Sequence, residues 1–302
     1  MQGVLFMNLT PWFFSDYSEQ FNNLFSNWII LMLAVSFICF IVSEITANYS
    51  QVDKLWSLLP IAYAWITAAT IHSPRIIVMS LLVTIWGLRL SYNFSRKGGY
   101  NIIPWKGEED YRWKIMRETP ALKGRLRFGL FNLLFISLYQ NIVILLFCSP
   151  LLLAALNADK SINIIDVIAG ILMIGFLVIE TIADNHLYEF HREKKNPDPN
   201  NIQYPESIKN GFMSEKMWKY VRHPNFTAEQ AIWGCFYFFG VAASGKWINF
   251  TLAGPILLIL IFAGSSRLTE NISSGKYPEY KVYQQTVPRF IPGIRARKKI
   301  RE

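Results

Sequence analysis

The sequence predicts an all-α integral membrane protein, a bundle of seven transmembrane helices with its N-terminus outside and its C-terminus in the cytoplasm. Three observations predict it. Hydrophobic residues make up 52% of the chain and aromatics 15%, while the polar residues gather in a few short blocks. Several apolar stretches approach the roughly 20 helical residues needed to cross about 30 Å of hydrocarbon with every backbone amide bonded inside its own segment. Finally, segments 96–127, 192–222 and 267–301 hold 25 of the 30 Lys and Arg residues. Seven spans put all three on one face, which the positive-inside rule makes cytoplasmic.

The spans are expected near 26–47, 55–72, 76–94, 131–156, 162–184, 226–243 and 247–263. The first 25 residues hold Asp16 and Glu19 but no Lys or Arg, unlike the basic start of a cleavable leader, so none is expected. External connections at 72–75 and 157–161 are short. The internal ones are long and mix charge with aromatics, which places function on the inner face. The first carries Arg96, Gly98, Gly99, Tyr100 and Gly107, with Pro120 and Gly124 as breakers. The second passes through Asn196, Pro197, Asp198 and Pro199, and Gly211 is read as opening a short helix that ends at Tyr220. No linker, low-complexity tract or internal repeat divides residues 1–302, so a single domain is expected. The formal charge of +9 follows membrane topology, not a nucleic-acid footprint. Cys39, Cys148 and Cys235 lie in apolar spans at unrelated spacings, which indicates neither a disulfide framework nor a zinc site.

Chemistry concentrates where the second long loop enters a span. Arg222, His223, Asn225, Phe226 and Glu229 surround Pro224, which suits the first turn of a helix. Unpaired amides and the positive dipole end attract anions there, and Arg222 adds a fork matched to phosphate or carboxylate. The plainer reading makes Arg222 and His223 positive-inside anchors and Glu229 a buried partner of one of them. Asp184, Tyr188 and His191 fall three or four apart and form one helical face, either a pocket wall or a solvated helix end. Glu229 and Asp184 stand in or beside apolar spans, where a carboxylate usually marks a functional or paired site. Asp53 and Tyr92 lie at the inner ends of the second and third spans, as functional groups or as interfacial residues. In the tail, Tyr277, Tyr280 and Tyr283 precede Phe290, Ile291 and Pro292, either flanking a nucleotide or lying at the interface. The basic run 295–301 reads as a membrane-surface anchor.

The chain has no GxGxxG after a strand, no GxxxxGK[ST], no GxSxG and no HExxH, which disfavours soluble dinucleotide folds, P-loop ATPases, the usual serine hydrolases and zincins. Three blocks stand out. They are Asp53-Lys-Leu-Trp-Ser57, Trp86-Gly-Leu-Arg-Leu-Ser-Tyr-Asn93 leading to Arg96-Lys-Gly-Gly-Tyr100, and Tyr220-Val-Arg-His-Pro-Asn-Phe-Thr-Ala-Glu229. Together with Glu180, Asp184, Tyr277-Pro278 and Phe290-Ile291-Pro292, they make the chain resemble the steroid 5α-reductase family, in its bacterial-type branch catalogued as a domain of unknown function (DUF1295-like). The last block by itself also resembles membrane methyltransferases of the isoprenylcysteine and phospholipid type.

The resemblance implies a seven-helix bundle that holds NADPH in its C-terminal helices and loops and a lipid-like enone in its N-terminal helices. It implies a reductase of a carbon–carbon double bond conjugated to a ketone, on a 3-oxo-Δ4-steroid or related lipid. Asn225 and Glu229 would hold the cofactor, with Tyr220, Phe226, Arg222 and His223 around it, Asp184 on the neighbouring helix, and Tyr280 closing the pocket. Tyr92, oriented by Asp53 or else by Gln51, would hydrogen-bond the ketone where enolate charge develops. Expected partners are the lipid-like substrate and membrane lipids, with no obligate protein partner evident. The membrane is expected to be the bacterial inner membrane, or the endoplasmic reticulum in a eukaryote. Two other readings stay open, an S-adenosylmethionine-dependent membrane methyltransferase and a non-catalytic lipid-binding or transport protein.

Overall fold

A computed structural model of the chain describes residues 18–103, 105–197 and 202–293. Asp16, Asp198, Pro199 and the basic run 295–301 lie outside the described residues. Within them every regular element is helical and there is no strand. The α-helices are α1 Glu19–Thr46, α2 Gln51–Leu55, α3 Leu59–Thr70, α4 Pro74–Arg96, α5 Tyr111–Glu118, α6 Arg125–Phe131, α7 Gln140–Cys148, α8 Pro150–Ala155, α9 Ile164–Lys195, α10 Pro205–Asn210, α11 Pro224–Ser244, α12 Ala253–Lys276 and α13 Tyr280–Thr286. A π-helix at Asn132–Tyr139 joins α6 to α7, and 3₁₀ turns occupy Lys216–Lys219 and Phe250–Leu252.

Local chemistry explains the helix ends. Ser18 caps α1 by accepting from the Phe21 amide at 3.3 Å, and Ala47 ends the helix in the left-handed region at φ 53°. Pro74 and Pro224 stand at the first positions of α4 and α11, where a missing N–H costs nothing. Asp110 caps α5 through the Arg112 amide at 2.9 Å. Gly211, expected to open a helix, instead closes α10 at φ 84°, the conformation that glycine adopts without a Cβ clash.

Among the described residues, five helical stretches are long and apolar enough to cross a membrane: Glu19–Thr46, Pro74–Arg96, Arg125–Ala155, Ile164–Lys195 and Phe250–Lys276. The chain is therefore a multi-pass membrane protein. Two of the seven expected spans are not among the five. Helix α3 has 12 residues, which at 1.5 Å each reach about 18 Å, short of the hydrocarbon thickness. Helix α11 has 21 residues, but Asn225, Thr227, Glu229 and Gln230 fill its first two turns. Two other helices overrun their expected ends. Helix α9 continues past Asp184 to Lys195 and α12 past residue 263 to Lys276, because neither extension contains a proline to stop it.

The chain divides into two compact units, Met1–Gly170 with Phe236–Ile256, and Ile171–Cys235 with Leu257–Glu302. In the first unit α1, α3, α4 and the Arg125–Ala155 stretch surround a core that includes Trp28, Tyr63, Trp86 and Phe147. Helices α3 and α4 lie close, with Ser80 Oγ donating to the Ala64 carbonyl at 3.1 Å. Gly87 permits a similar approach about two turns on, since a Cβ there would sit 2.5 Å from the carbonyl oxygen of Ser57, just before α3. A buried clasp joins Arg75 to Asp166 at 2.9 Å and to the carbonyls of Lys160 and Ser161. In the second unit, Phe190, Tyr204, Met213 and Trp218 form one apolar cluster and Phe212, Tyr280 and Tyr283 another. Cys39, Cys148 and Cys235 are buried free thiols.

Candidate functional site

The second unit has an unusually polar interior for a membrane segment. Glu180 and Asp184 on α9, Glu229 on α11, and Ser266 and Glu270 on α12 are all buried. Buried carboxylates in or beside apolar helices are expensive, and they persist where they are paired or used. Asn225 Nδ2 donates to Asp184 Oδ1 at 3.1 Å, and Trp233 Nε1 donates to Glu229 Oε1 at 3.1 Å. Asn225 and Glu229 lie four residues apart and so share a face of α11. The Oδ1 of Asn225 is buried and has no hydrogen-bond donor among the described residues. A fixed amide whose nitrogen is anchored and whose oxygen is unmet offers a ready acceptor to a ligand N–H or O–H.

Glu270, only 1% exposed, is the hub of a second network. It accepts from Arg222 Nε at 2.8 Å, Arg222 Nη2 at 3.2 Å, His223 Nε2 at 2.9 Å, Arg289 Nη2 at 2.9 Å and Gln284 Nε2 at 3.1 Å. Arg222 also donates through Nη1 to the carbonyls of Gln284 and Val287. The amides of Arg222 and His223 donate to the carbonyls of Pro288 and Arg289 at 2.9 and 3.2 Å, and Thr227 Oγ1 donates to that of Phe290 at 2.9 Å. Arg222 and His223, donors that the sequence suggested for a ligand's phosphates, therefore engage Glu270 and the C-terminal segment. His223 also stacks on Phe226, with ring centroids 5.2 Å apart.

Beside this network, Lys194 Nζ donates to Tyr277 Oη at 2.9 Å. Burial pushes the Tyr277 phenol up, but the Lys194 and Lys276 ammonium groups outweigh it and hold the phenol below its ordinary value. Tyr204 Oη donates to Glu189 Oε2 at 2.9 Å, and burial together with that carboxylate raises the Tyr204 phenol. Tyr280, expected to close a pocket, is buried against Phe212 and Tyr283, with centroids 4.9 and 5.5 Å away. Tyr220 follows the 3₁₀ turn and is 67% exposed.

The expected substrate-side residues belong to the first unit. Asp53 Oδ2 accepts from Trp113 Nε1 at 2.8 Å. Burial holds the Asp53 carboxyl above its ordinary range, Asp110 adds to the rise, and Arg112 and Trp113 oppose it. Lys54 Nζ donates to Gln51 Oε1 and to the Lys106 carbonyl at 3.3 and 2.8 Å, and Gln51 Nε2 donates to the carbonyls of Asn48 and Trp105. Tyr100 Oη donates to the Lys54 carbonyl at 2.7 Å, and the hydroxyls of Ser57 and Ser91 meet at 2.8 Å. The first two sequence blocks thus fold onto each other, and Trp105, Lys106 and Gly107 of the following loop and Trp113 of α5 also bond to residues 48–54. Tyr92 does not join them. It is 67% exposed, with the Arg96 guanidinium 5.6 Å from its ring, and no hydrogen bond among the described residues links it to Asp53.

The structure therefore brings together Asp184 with Asn225, Arg222 with His223 on Glu270, and His223 with Phe226, and it keeps Tyr220 and Tyr92 at the surface. Sequence reasoning missed the central role of Glu270 and the Trp113 partner of Asp53. Glu270 carried the same signal as Glu229, an acidic residue following an apolar run, but the helix was expected to end before it.

The family model for a protein of unknown function, DUF1295, matches residues 39–287. The chain belongs to the DUF1295 family. An uncharacterized protein of Schizosaccharomyces pombe (strain 972 / ATCC 24843) is 36% identical over 265 residues, covering 84% of this chain and 75% of its own. No solved structure matches.

Proposed function

We propose that this DUF1295 protein is a membrane reductase that transfers hydride from NADPH to a carbon–carbon double bond conjugated to a ketone on a lipid. The proposal includes the seven-span topology with a cytoplasmic C-terminus, counting α3 and α11 as the second and sixth crossings. The observation that carries it is the unmet Asn225 oxygen, buried beside Asp184 and one turn before Glu229. An acceptor held by its own nitrogen suits the carboxamide N–H of a nicotinamide, and the resemblance assigns Asn225 and Glu229 to that cofactor. When bound, NADPH would supply the hydride.

The chain's own residues do the rest. Asp184 orients the Asn225 amide, and Trp233 fixes the Glu229 carboxylate. Arg222 and His223 act by tying the 284–290 segment to the start of α11, and their charge is already matched by Glu270. Asp53, held by Trp113 and biased toward its protonated form by burial, is the acid of the substrate side. Tyr92 retains the hydroxyl role that the resemblance gives it.

The test is ligand-induced thermal stabilisation of the detergent-purified protein by NADPH, NADH and S-adenosylmethionine. Stabilisation selective for NADPH, abolished in Asn225→Ala, is the expected result. Stabilisation by S-adenosylmethionine alone would replace this reading with methyl transfer, and no stabilisation by any of the three would favour a non-catalytic lipid-binding protein.

A further inference from the structure

Inside the first unit, two touching aromatic side chains each hold a buried hydrogen-bond donor with no acceptor among the described residues. Trp28 on α1 and Tyr63 on α3 are both 0% exposed, and neither the indole Nε1 nor the phenol Oη has a partner. Their rings are in contact, with centroids 4.5 Å apart and planes tilted by 36°. The Thr67 hydroxyl one turn along α3 donates to the Tyr63 carbonyl at 2.8 Å and accepts from neither ring. Helix α1 is a membrane span, so water is scarce around it and an unmet donor is costly. Two such donors on touching aromatic rings share one deficit, a missing acceptor.

We propose that Trp28 and Tyr63 form a binding site for the carbonyl oxygen of a lipid dissolved in the membrane. A carbonyl oxygen brings two lone pairs and no proton, so it can accept from an N–H, from an O–H or from both. A Tyr and a Trp each bring a broad apolar face with a single polar tip, which suits an apolar molecule carrying one oxygen. Arginine, lysine and carboxylate side chains have no part in this pair, which disfavours phosphate or ammonium headgroups. The inference goes beyond the reductase reading, because the pair would anchor a carbonyl whatever chemistry follows.

The test uses the full chain in detergent with three probes, a lipid ketone, a fatty-acid methyl ester and a matched hydrocarbon, and measures their affinities by thermal shift and native mass spectrometry. The expected result is binding of one or both carbonyl lipids in preference to the hydrocarbon, the ketone and ester arms showing which carbonyl class is taken. Tyr63→Phe and Trp28→Phe should each weaken that binding about tenfold. Ligand-free Tyr63→Phe should melt no lower than the parent protein, because it deletes a donor that nothing satisfies. A lower melting point in that variant, with no preference for carbonyl lipids, would show a buried water site and overturn the proposal. So would carbonyl binding left unchanged in both variants. Stabilisation by NADPH is read on the same samples, and its failure while carbonyl binding persists would overturn the reductase reading alone.

Discussion

Arg222 Nε lies 2.8 Å from Glu270 Oε1, and both side chains are buried, at 7% and 1% exposure. The pair closes a network in which one carboxylate answers two guanidinium groups and an imidazole. Breaking a buried pair by removing one partner leaves an uncompensated charge, at a cost of about 3–5 kcal/mol. Glu270→Ala should therefore lower unfolding stability by that order and free the 284–290 segment to proteolysis. Arg289→Ala should cost less than about 1 kcal/mol, because that guanidinium is 30% exposed and screened by water. Denaturant titration with limited proteolysis measures both.

Asn225→Asp places a second carboxylate where the Asn225 amide now donates to Asp184. The donor is lost and two like charges face each other, so this variant should be less stable than Asn225→Ala, by about 1–3 kcal/mol. Both variants should lose stabilisation by NADPH. Thermal unfolding with and without the cofactor checks the two outcomes together.

The raised Asp53 carboxyl gives stability a pH dependence. Its unfolded reference is near 3.8 and its folded value is higher. The folded state then binds the proton more tightly, so the contribution is fully present below 3.8 and is lost as pH rises through the folded value. Asp53→Asn should flatten that decline. Trp113→Phe removes a donor that favours the carboxylate, so it should move the decline to higher pH. A series of melting points across the acid range distinguishes the two variants.

Gly87→Ala would place a methyl group against the Ser57 carbonyl, which is backbone and cannot swing aside. Helices α3 and α4 would have to separate, at a cost of about 1–3 kcal/mol. The loss should appear as a lower melting point with unchanged helix content by circular dichroism.

Much of the fold is legible in the sequence because helix formation in a membrane is decided locally. Lipid cannot satisfy a backbone amide, so an apolar run long enough to cross must be helical. Helix ends were harder to place. Helices α9 and α12 run on past their apolar stretches through Asp184–Lys195 and residues 264–276, since helix persistence depends on the absence of breakers and not on hydropathy. Gly211 closes a helix where the sequence points to a start, because the same residue type can open or close a helix and only its φ of 84° shows which.

The sequence by itself determined that this protein is helical, lives in a membrane and gathers Arg222, His223, Asn225 and Glu229 within one short segment, since these follow from composition, charge distribution and spacing along the chain. Only the tertiary structure decided the partners. It set Arg222 and His223 against Glu270, joined Asp184 to Asn225 across 41 positions, and placed Trp28 against Tyr63 with two donors unmet among the described residues. Hydrogen bonds form between atoms about 3 Å apart in space, and when the partners lie tens of residues apart no reading of neighbours in the chain can say which donor will meet which acceptor.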